Sequence, residues 1–409
     1  MLPGYIRDLP MSPATVALIA TTAIQMAAAA AALTLPAIAP VVARDLGVPT
    51  SMVGTYIALL YVGSSTAALA GGGVVPRIGA IRLSQWCLLA CAGGLALGLA
   101  PALAVVAAAA VLVGLGYGPI TPASSHVLAK TTPREKMALT FSIKQTGVPA
   151  GTALAGLVVP PLAVAFGWHA AVLAIASACA LLALAVQPLR APLDADRDRS
   201  ARLSAGQLVA GLKLVAASAP LRTMAAVSFV YAGMQMCVSS FIVAYLAEEI
   251  GLSLVVAGLG LTTANVAGVA ARIVWGALAD RWLPARAVLA WLGALMAAAS
   301  VLAALFTQAW PLAALLAVAA ALGATAIGWN GVYLAEVARL APDGRAGLAT
   351  GGCLFFTFVG VVVCPFLFGV LQRASGSYAL CFAVAAGVCA LAAAALALSG
   401  RVTARAGSA

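Results

Sequence analysis

The sequence predicts an all-α membrane protein, with twelve transmembrane helices arranged as two pseudo-symmetric six-helix bundles. Three observations predict it. Hydrophobic residues fill 64% of the 409 positions and charged residues only 8%, where a soluble domain carries about 25% charged. Apolar runs long enough to cross about 30 Å of hydrocarbon recur along the whole chain. The second half repeats landmarks of the first at fixed offsets.

Twelve spans at about 20 residues each consume about 240 residues and leave short loops. The expected spans are 14–42, 52–75, 83–100, 102–128, 138–164, 168–188, 221–247, 253–278, 287–307, 311–337, 346–371 and 376–399. The first is longer than a signal-peptide core and lacks a small-residue cleavage site, so it reads as a retained helix. Breakers mark tight turns at Ala100-Pro101 and Trp310-Pro311. Trp168 and Trp310 fall where an aromatic belt is expected. Spans three, six, nine and twelve, mainly Ala, Leu and Val, are expected to face lipid.

The expected domains are an N-terminal bundle over 1–190, a connector over 191–220 and a C-terminal bundle over 221–409. In the connector the mixed-charge run from Asp194 to Arg202 reads as a solvated loop. Ser204 is placed to cap a short surface helix with Leu208, Leu212 and Val215 on one face. An offset of 204 pairs Gly47 with Gly251, Gly72 with Gly276, Arg77 with Arg281 and Arg82 with Arg286. An offset of 209 pairs Lys130 with Arg339, Pro133 with Pro342, Lys136 with Arg345 and Gly167 with Gly376. Such a parallel repeat places a substrate pathway between the halves, near the bilayer midplane.

A net charge of +11 could suggest nucleic acid, but its placement excludes that partner. With the N-terminus in the cytoplasm, eighteen of the 22 Lys and Arg fall in cytoplasmic segments, Arg7, Arg199 and Arg202 among them. The positive-inside rule then puts both termini in the cytoplasm of an inner-membrane protein. All eight cysteines lie in apolar spans without a CxxC or Cys/His spacing, so neither disulfides nor a metal site is expected. No cofactor is expected either, and the molecule is expected to be a monomer.

The deep charges are both basic. Ten of the eleven acids, Asp8 included, belong to loops or helix ends, and Glu336 lies close to the inner surface. Lys144 lies eight residues beyond Lys136 and Arg272 eight before Asp280, each about 12 Å inside the hydrocarbon. Each costs about 2.5–3.5 kcal/mol to insert, so such residues normally face a wet cavity and serve a function. Lys144 shares a helical stripe with Gly147 and Gly151, and Arg272 with Asn265, Gly268 and Gly276. One cation per half suits a small anion bridging the two, the differential contact that alternating access requires. Other polar candidates near span centres are Gln25 and Thr22, Tyr61, Tyr117 and Thr121, Gln145, Tyr231 and Gln235, and Asn330 and Tyr333. Helix–helix hydrogen bonding accounts for any one of these as well as ligand contact does.

The loop after the eighth span, Gly276-Ala277-Leu278-Ala279-Asp280-Arg281 with Arg286 following, resembles the G-x-x-x-D-R signature of the major facilitator superfamily. The counterpart after the second span keeps Gly72, Arg77 and Arg82 but has Pro76 in place of the Asp. Glu336 and Arg339 resemble the acidic–basic pair that the family sets against this loop. The resemblance implies a secondary transporter with a cytoplasmic gate formed by Asp280, Arg281, Arg286, Glu336, Arg339, Arg77 and Arg82. Arg272 ahead of Gly276 and Asp280 also resembles the oxalate–formate exchanger and monocarboxylate transporter branches, where an Arg at this place holds a carboxylate. Span eleven lacks the Lys of the oxalate exchanger, and Lys144 would take its part.

The function expected is therefore secondary transport of a small organic anion, a carboxylate, by symport or antiport. In symport the proton can travel on the substrate; exchange needs none. The alternative is a proton-coupled exporter of drugs or hydrophobic metabolites, since Gly147-Val148-Pro149-Ala150-Gly151 and Gly156 resemble the antiporter motif of that branch. An enzyme is not expected. The only histidines, His126 and His169, have neither a carboxylate partner nor metal-ligand spacing in the sequence.

Overall fold

A computed structural model describes residues 12–48, 52–198 and 209–406. Arg7, Asp8, Arg199, Arg202, Ser204 and Leu208 lie outside the described residues. All regular structure among the described residues is helical. Twelve helices are long and apolar enough to span a bilayer: α1 Pro13–Ala37, α2 Gly54–Ile78, α3 Ala80–Leu97, α4 Leu103–Thr131, α5 Arg134–Phe166, α6 Trp168–Leu193, α7 Ala219–Glu249, α8 Val256–Arg281, α9 Ala285–Ala304, α10 Leu312–Leu340, α11 Ala346–Ser375 and α12 Tyr378–Leu398. Large apolar side chains stand outward on α3 (Trp86, Leu89), α6 (Leu181, Leu184), α9 (Trp291) and α12 (Leu391). Exposed apolar residues are not confined to those four helices, because α5 (Leu157, Val164) and α8 (Val266, Val274) carry them too.

Two compact units emerge. Unit 1 comprises Met1–Pro133, Ile143–Ala217 and Ala341–Phe355. In it α1 packs on the second part of α5 and on α6, and α4 packs on α2 and α3. Unit 2 comprises Arg134–Ser142, Ser218–Leu340 and Phe356–Ala409, with α9 against α12 and α8 against α10. Each unit thus takes a short stretch from the other half of the sequence. In unit 1 the start of α11 lies so close to α2 that a Cβ on Gly72 would meet the Gly347 carbonyl, and one on Gly351 the Ala68 carbonyl.

The sequence repeat has a conformational counterpart. Gly47 and its mate Gly251 have φ of 66° and 83°, and Gly167 and its mate Gly376 have 84° and 70°. These left-handed values suit glycine because it carries no Cβ. The acids beside the first pair, Asp45 and Glu249, also act alike. Asp45 accepts the Trp168 indole N–H at the start of α6 (3.1 Å), and Glu249 accepts the Tyr378 backbone N–H at the start of α12 (2.7 Å). Trp168 is therefore buried against Asp45 rather than standing in a lipid-facing belt: its indole N–H finds a partner inside.

Three helices are interrupted near their middles. α4 breaks at Gly118-Pro119, α5 at Thr146 and α10 over residues 327–329. Proline explains the first two. Pro122 and Pro149 lack the N–H that would bond the carbonyls of Gly118 and Gln145. No proline lies in the α10 break.

Asp194, which opens the mixed-charge run, is buried rather than solvated, while Asp196 and Asp198 are exposed. Asp194 is 3% exposed and accepts the backbone N–H groups of Ile81 (2.8 Å) and Arg82 (3.0 Å) at the start of α3. Asp196 pairs with His126 (2.8 Å) and Lys130 (2.9 Å) on α4. The backbone N–H of Asp198 donates to the Pro76 carbonyl (2.7 Å). His126 does have a carboxylate partner, one too far away in sequence for spacing to reveal. The connector then forms a short helix, Ala210–Ala217, in which Gly211 and Val215 are buried.

Candidate binding site

Glycines make the close approach that builds the site in unit 1. A Cβ on Gly147 would meet the Thr22 carbonyl at 2.8 Å, and one on Gly151 the Met26 carbonyl. α5 can therefore lie directly on α1, which brings Lys144 and Gln145, on the last turn before the α5 break, against Gln25. From the other side comes Thr121, just after the α4 break. The Lys144 Nζ donates to Gln25 Oε1 (2.7 Å), Gln145 Oε1 (3.0 Å) and, more loosely, Thr121 Oγ1 (3.4 Å). The Thr121 hydroxyl donates to the same Gln25 oxygen (3.0 Å).

Lys144 and Gln25 are both 0% exposed. Two donors converge on Gln25 Oε1, which turns its amide nitrogen away from them. That Nε2 is buried and has no hydrogen-bond partner. A buried N–H without an acceptor costs about 1–3 kcal/mol. An acceptor arriving from outside removes that cost. The three oxygens that these bonds reach are neutral dipoles.

In unit 2, Arg272 is 2% exposed and its Nε donates to the Ile327 carbonyl (3.0 Å). Ile327 opens the α10 break, where a carbonyl is released from the helix ladder. Gly268 permits this contact, since a Cβ there would press on Ile327 at 2.6 Å. Both deep cations thus lie beside interrupted helices, the arrangement from which transporters build ion and substrate sites.

The other candidates divide. Asn330 donates to Gln235 (3.1 Å), joining α10 to α7. Tyr231 is buried and donates to the Leu289 carbonyl (2.8 Å), with its ring edge-on to Trp329, so it serves α7–α9 packing. Asn265 is exposed and donates to Leu261 of its own helix (2.9 Å). Tyr61 and Tyr117 are half-buried on α2 and α4.

Among the gate candidates, Asp280 has three partners on two helices. Its carboxylate accepts the backbone N–H groups of Ala138 (3.0 Å) and Leu139 (2.7 Å) near the start of α5, and pairs with Arg339 (3.2 Å). Arg339 also donates to the Arg134 carbonyl (2.9 Å). The signature aspartate therefore caps a helix besides meeting an arginine. Glu336 has Arg339 and Arg286 as charged neighbours. Glu336 and Arg286 line a cavity of about 920 Å³ beside the alanines of α9 and α12. Arg82 donates to Gln85 (3.2 Å), and Arg77 and Arg281 are exposed.

The sequence reading missed Asp194 and Asp196 as structural anchors. It also missed the Ile327 carbonyl, a backbone group with no residue-type signal.

A family model described as Major Facilitator Superfamily matches residues 18–236 and 224–408. Among curated proteins, the hexuronate transporter of Bacillus subtilis (strain 168) is 27% identical over 135 residues, which is 32% of this chain and 31% of that protein. The match thus spans about a third of the relative's length. Among solved structures, the transporter FucP in the outward conformation aligns with a TM-score of 0.76 at 17% identity, covering 94% of this chain and 99% of that one. The human organic anion transporter MFSD10 aligns at 0.75 and 15% identity, covering 94% and 100%. At these identities the structural matches speak for the fold.

Proposed function

We propose that this chain, which belongs to the Major Facilitator Superfamily and is a membrane transporter, carries a small organic anion with a carboxylate group by alternating access. The observation that carries the reading is the buried donor pair on α5 and α1. The Lys144 ammonium sits beside a Gln25 amide whose N–H groups find no acceptor. A carboxylate matches that pair: one oxygen displaces the loosely held Thr121 hydroxyl from the ammonium and the other takes the amide, and charge-assisted bonds of this kind are the strong ones. The short match to a hexuronate transporter agrees, since a hexuronate is a sugar carboxylate. Arg272 is the second cation of this reading, and Asp280 with Arg339 its conformational latch. That latch is expected to release the α5 N–H groups to water as the gate opens.

The glycines that resemble an exporter motif have a packing role here, since Gly147 and Gly151 seat α5 on α1. The test is uptake into proteoliposomes of labelled hexuronates and monocarboxylates, with and without a pH gradient and with counter-substrate inside. Lys144→Gln is expected to lower uptake by about thirtyfold or more, with Arg272→Gln also impaired and both variants still folded by thermal melt. Undiminished transport in both variants would sink the proposal, and efflux of uncharged hydrophobic compounds would favour an exporter.

A further inference from the structure

We infer that unit 1 carries a second anion site, distinct from the Lys144 cluster, in which Arg190 and Arg197 hold the phosphate oxygens of an anionic lipid headgroup. A cavity of about 450 Å³ opens where α6 ends and the connector begins, lined by Gln187, Arg190, Ala191, Asp194, Ala195 and Arg197. Its wall is more polar than apolar, unlike the crevices elsewhere in the molecule that are walled by alanine, leucine and valine.

The cavity is built on a fixed floor. Asp194 bonds the start of α3, its own backbone N–H donates to the Arg190 carbonyl (2.9 Å), and the Arg197 N–H donates to the Asp194 carbonyl (3.2 Å). Gly79, at φ 95°, leaves room for the Asp194 carboxylate where a Cβ would collide with it. Both oxygens of Asp194 are thus occupied by backbone N–H groups, and that carboxylate is a charged neighbour of Arg190. The Arg190 Nε nevertheless stays buried without a hydrogen-bond partner. An oxyanion in the cavity supplies the missing acceptor. A guanidinium suits it, because its planar fork matches phosphate oxygens.

Depth identifies the source of the phosphate. Arg190 lies 22 residues beyond Trp168, about 33 Å along α6, which is one hydrocarbon thickness. It therefore stands at headgroup level, where basic pockets between helices take anionic lipids.

The experiment is native mass spectrometry of the purified full chain. The protein is exposed in parallel to phosphatidylglycerol, to phosphatidylcholine and to inorganic phosphate. Phosphatidylglycerol is expected to be retained over phosphatidylcholine, with each of Arg190→Gln and Arg197→Gln lowering retention about fivefold. Arg197→Gln guards against misfolding, since Arg197 bonds the Asp194 carbonyl through its backbone N–H, which the substitution keeps. Arginine-dependent retention of inorganic phosphate, with no preference among lipids, would reassign the site to a soluble anion and overturn the lipid assignment. Retention of phosphatidylglycerol unchanged in both variants would overturn the site altogether. Loss of carboxylate uptake in Lys144→Gln leaves this outcome untouched, so the two proposals fail separately.

Discussion

Gln25 shows how one side chain can set the chemistry of a buried place. Its oxygen is shared by Lys144 and Thr121, so its nitrogen must look elsewhere, and in the resting protein it finds nothing. Gln25→Leu keeps the bulk and removes the amide. It is expected to raise KM for the carboxylate about tenfold with a smaller effect on maximal rate, read from uptake at graded substrate concentrations. The connector acids make opposite predictions about acid. Burial is the largest influence on Asp194 and raises its carboxyl above the usual value, against the pull of two N–H bonds and Arg190. The fold therefore holds that proton more tightly than the unfolded chain does. Its contribution to stability is greatest in acid and declines as pH rises from the ordinary carboxylate value through the raised one. Asp196 is also penalised by burial, but Lys130 and His126 outweigh that and hold it below the usual value. Its contribution is present above the ordinary value and disappears as pH falls through the depressed one. Melting curves between about pH 3 and 6 should show Asp196→Asn removing part of the acid-side loss. At neutral pH Asp194→Asn should cost about 1–2 kcal/mol as a lost helix cap, because an amide can accept only one of the two N–H groups well.

At the scale of elements, the α1–α5 contact decides whether Lys144 reaches Gln25. A Cβ on Gly151 would collide with the Met26 carbonyl and press Ala29, whereas one on Gly156 meets nothing within 4 Å. Gly151→Val is therefore expected to cost about 1–3 kcal/mol as overpacking and to abolish uptake by lifting α5 away. Gly156→Ala should behave as the parent protein in both the thermal melt and the transport assay. Some of this was legible beforehand. The glycines at helical spacing from Lys144 announced a close contact, since that effect is local, whereas the break at Thr146 inside the expected span 138–164 went unread. What α5 would touch was not legible, because Gln25 and Lys144 are 119 positions apart and Gln25 resembled any other polar residue in a span. The same limit hid His126–Asp196. Each residue alone fits a solvated surface, and only the path of the chain after α6 brings them within 2.8 Å. The Ile327 carbonyl was beyond reach for another reason, since every residue owns a carbonyl and only a break in α10 makes this one available.

For the whole molecule, hydropathy and the repeat were enough to anticipate twelve crossings, because lipid demands long, internally bonded apolar helices and little else. Orientation rests on charge asymmetry, with both termini proposed to be cytoplasmic. A fluorescent protein fused after Ala409 should fold and glow in cells, whereas a periplasmic reporter phosphatase at the same place should stay inactive; the reverse pattern would invert the topology. Of the eight cysteines all but Cys364 are buried, so a membrane-impermeant maleimide should leave the folded protein unlabelled and modify it only after denaturation.

The matched left-handed glycines have a practical consequence for rebuilding the chain. Gly47 with Gly251, and Gly167 with Gly376, reverse the backbone in the same sense at equivalent places in the two tandem copies, and each nearby acid ties down the opening of a later helix. Hairpins matched in this way are expected to be exchangeable. A hybrid carrying the Gly376 corner in place of the Gly167 corner, transplanted together with its acidic tether, should still insert and fold, whereas the corner moved alone should leave its new neighbour's indole or amide without a mate.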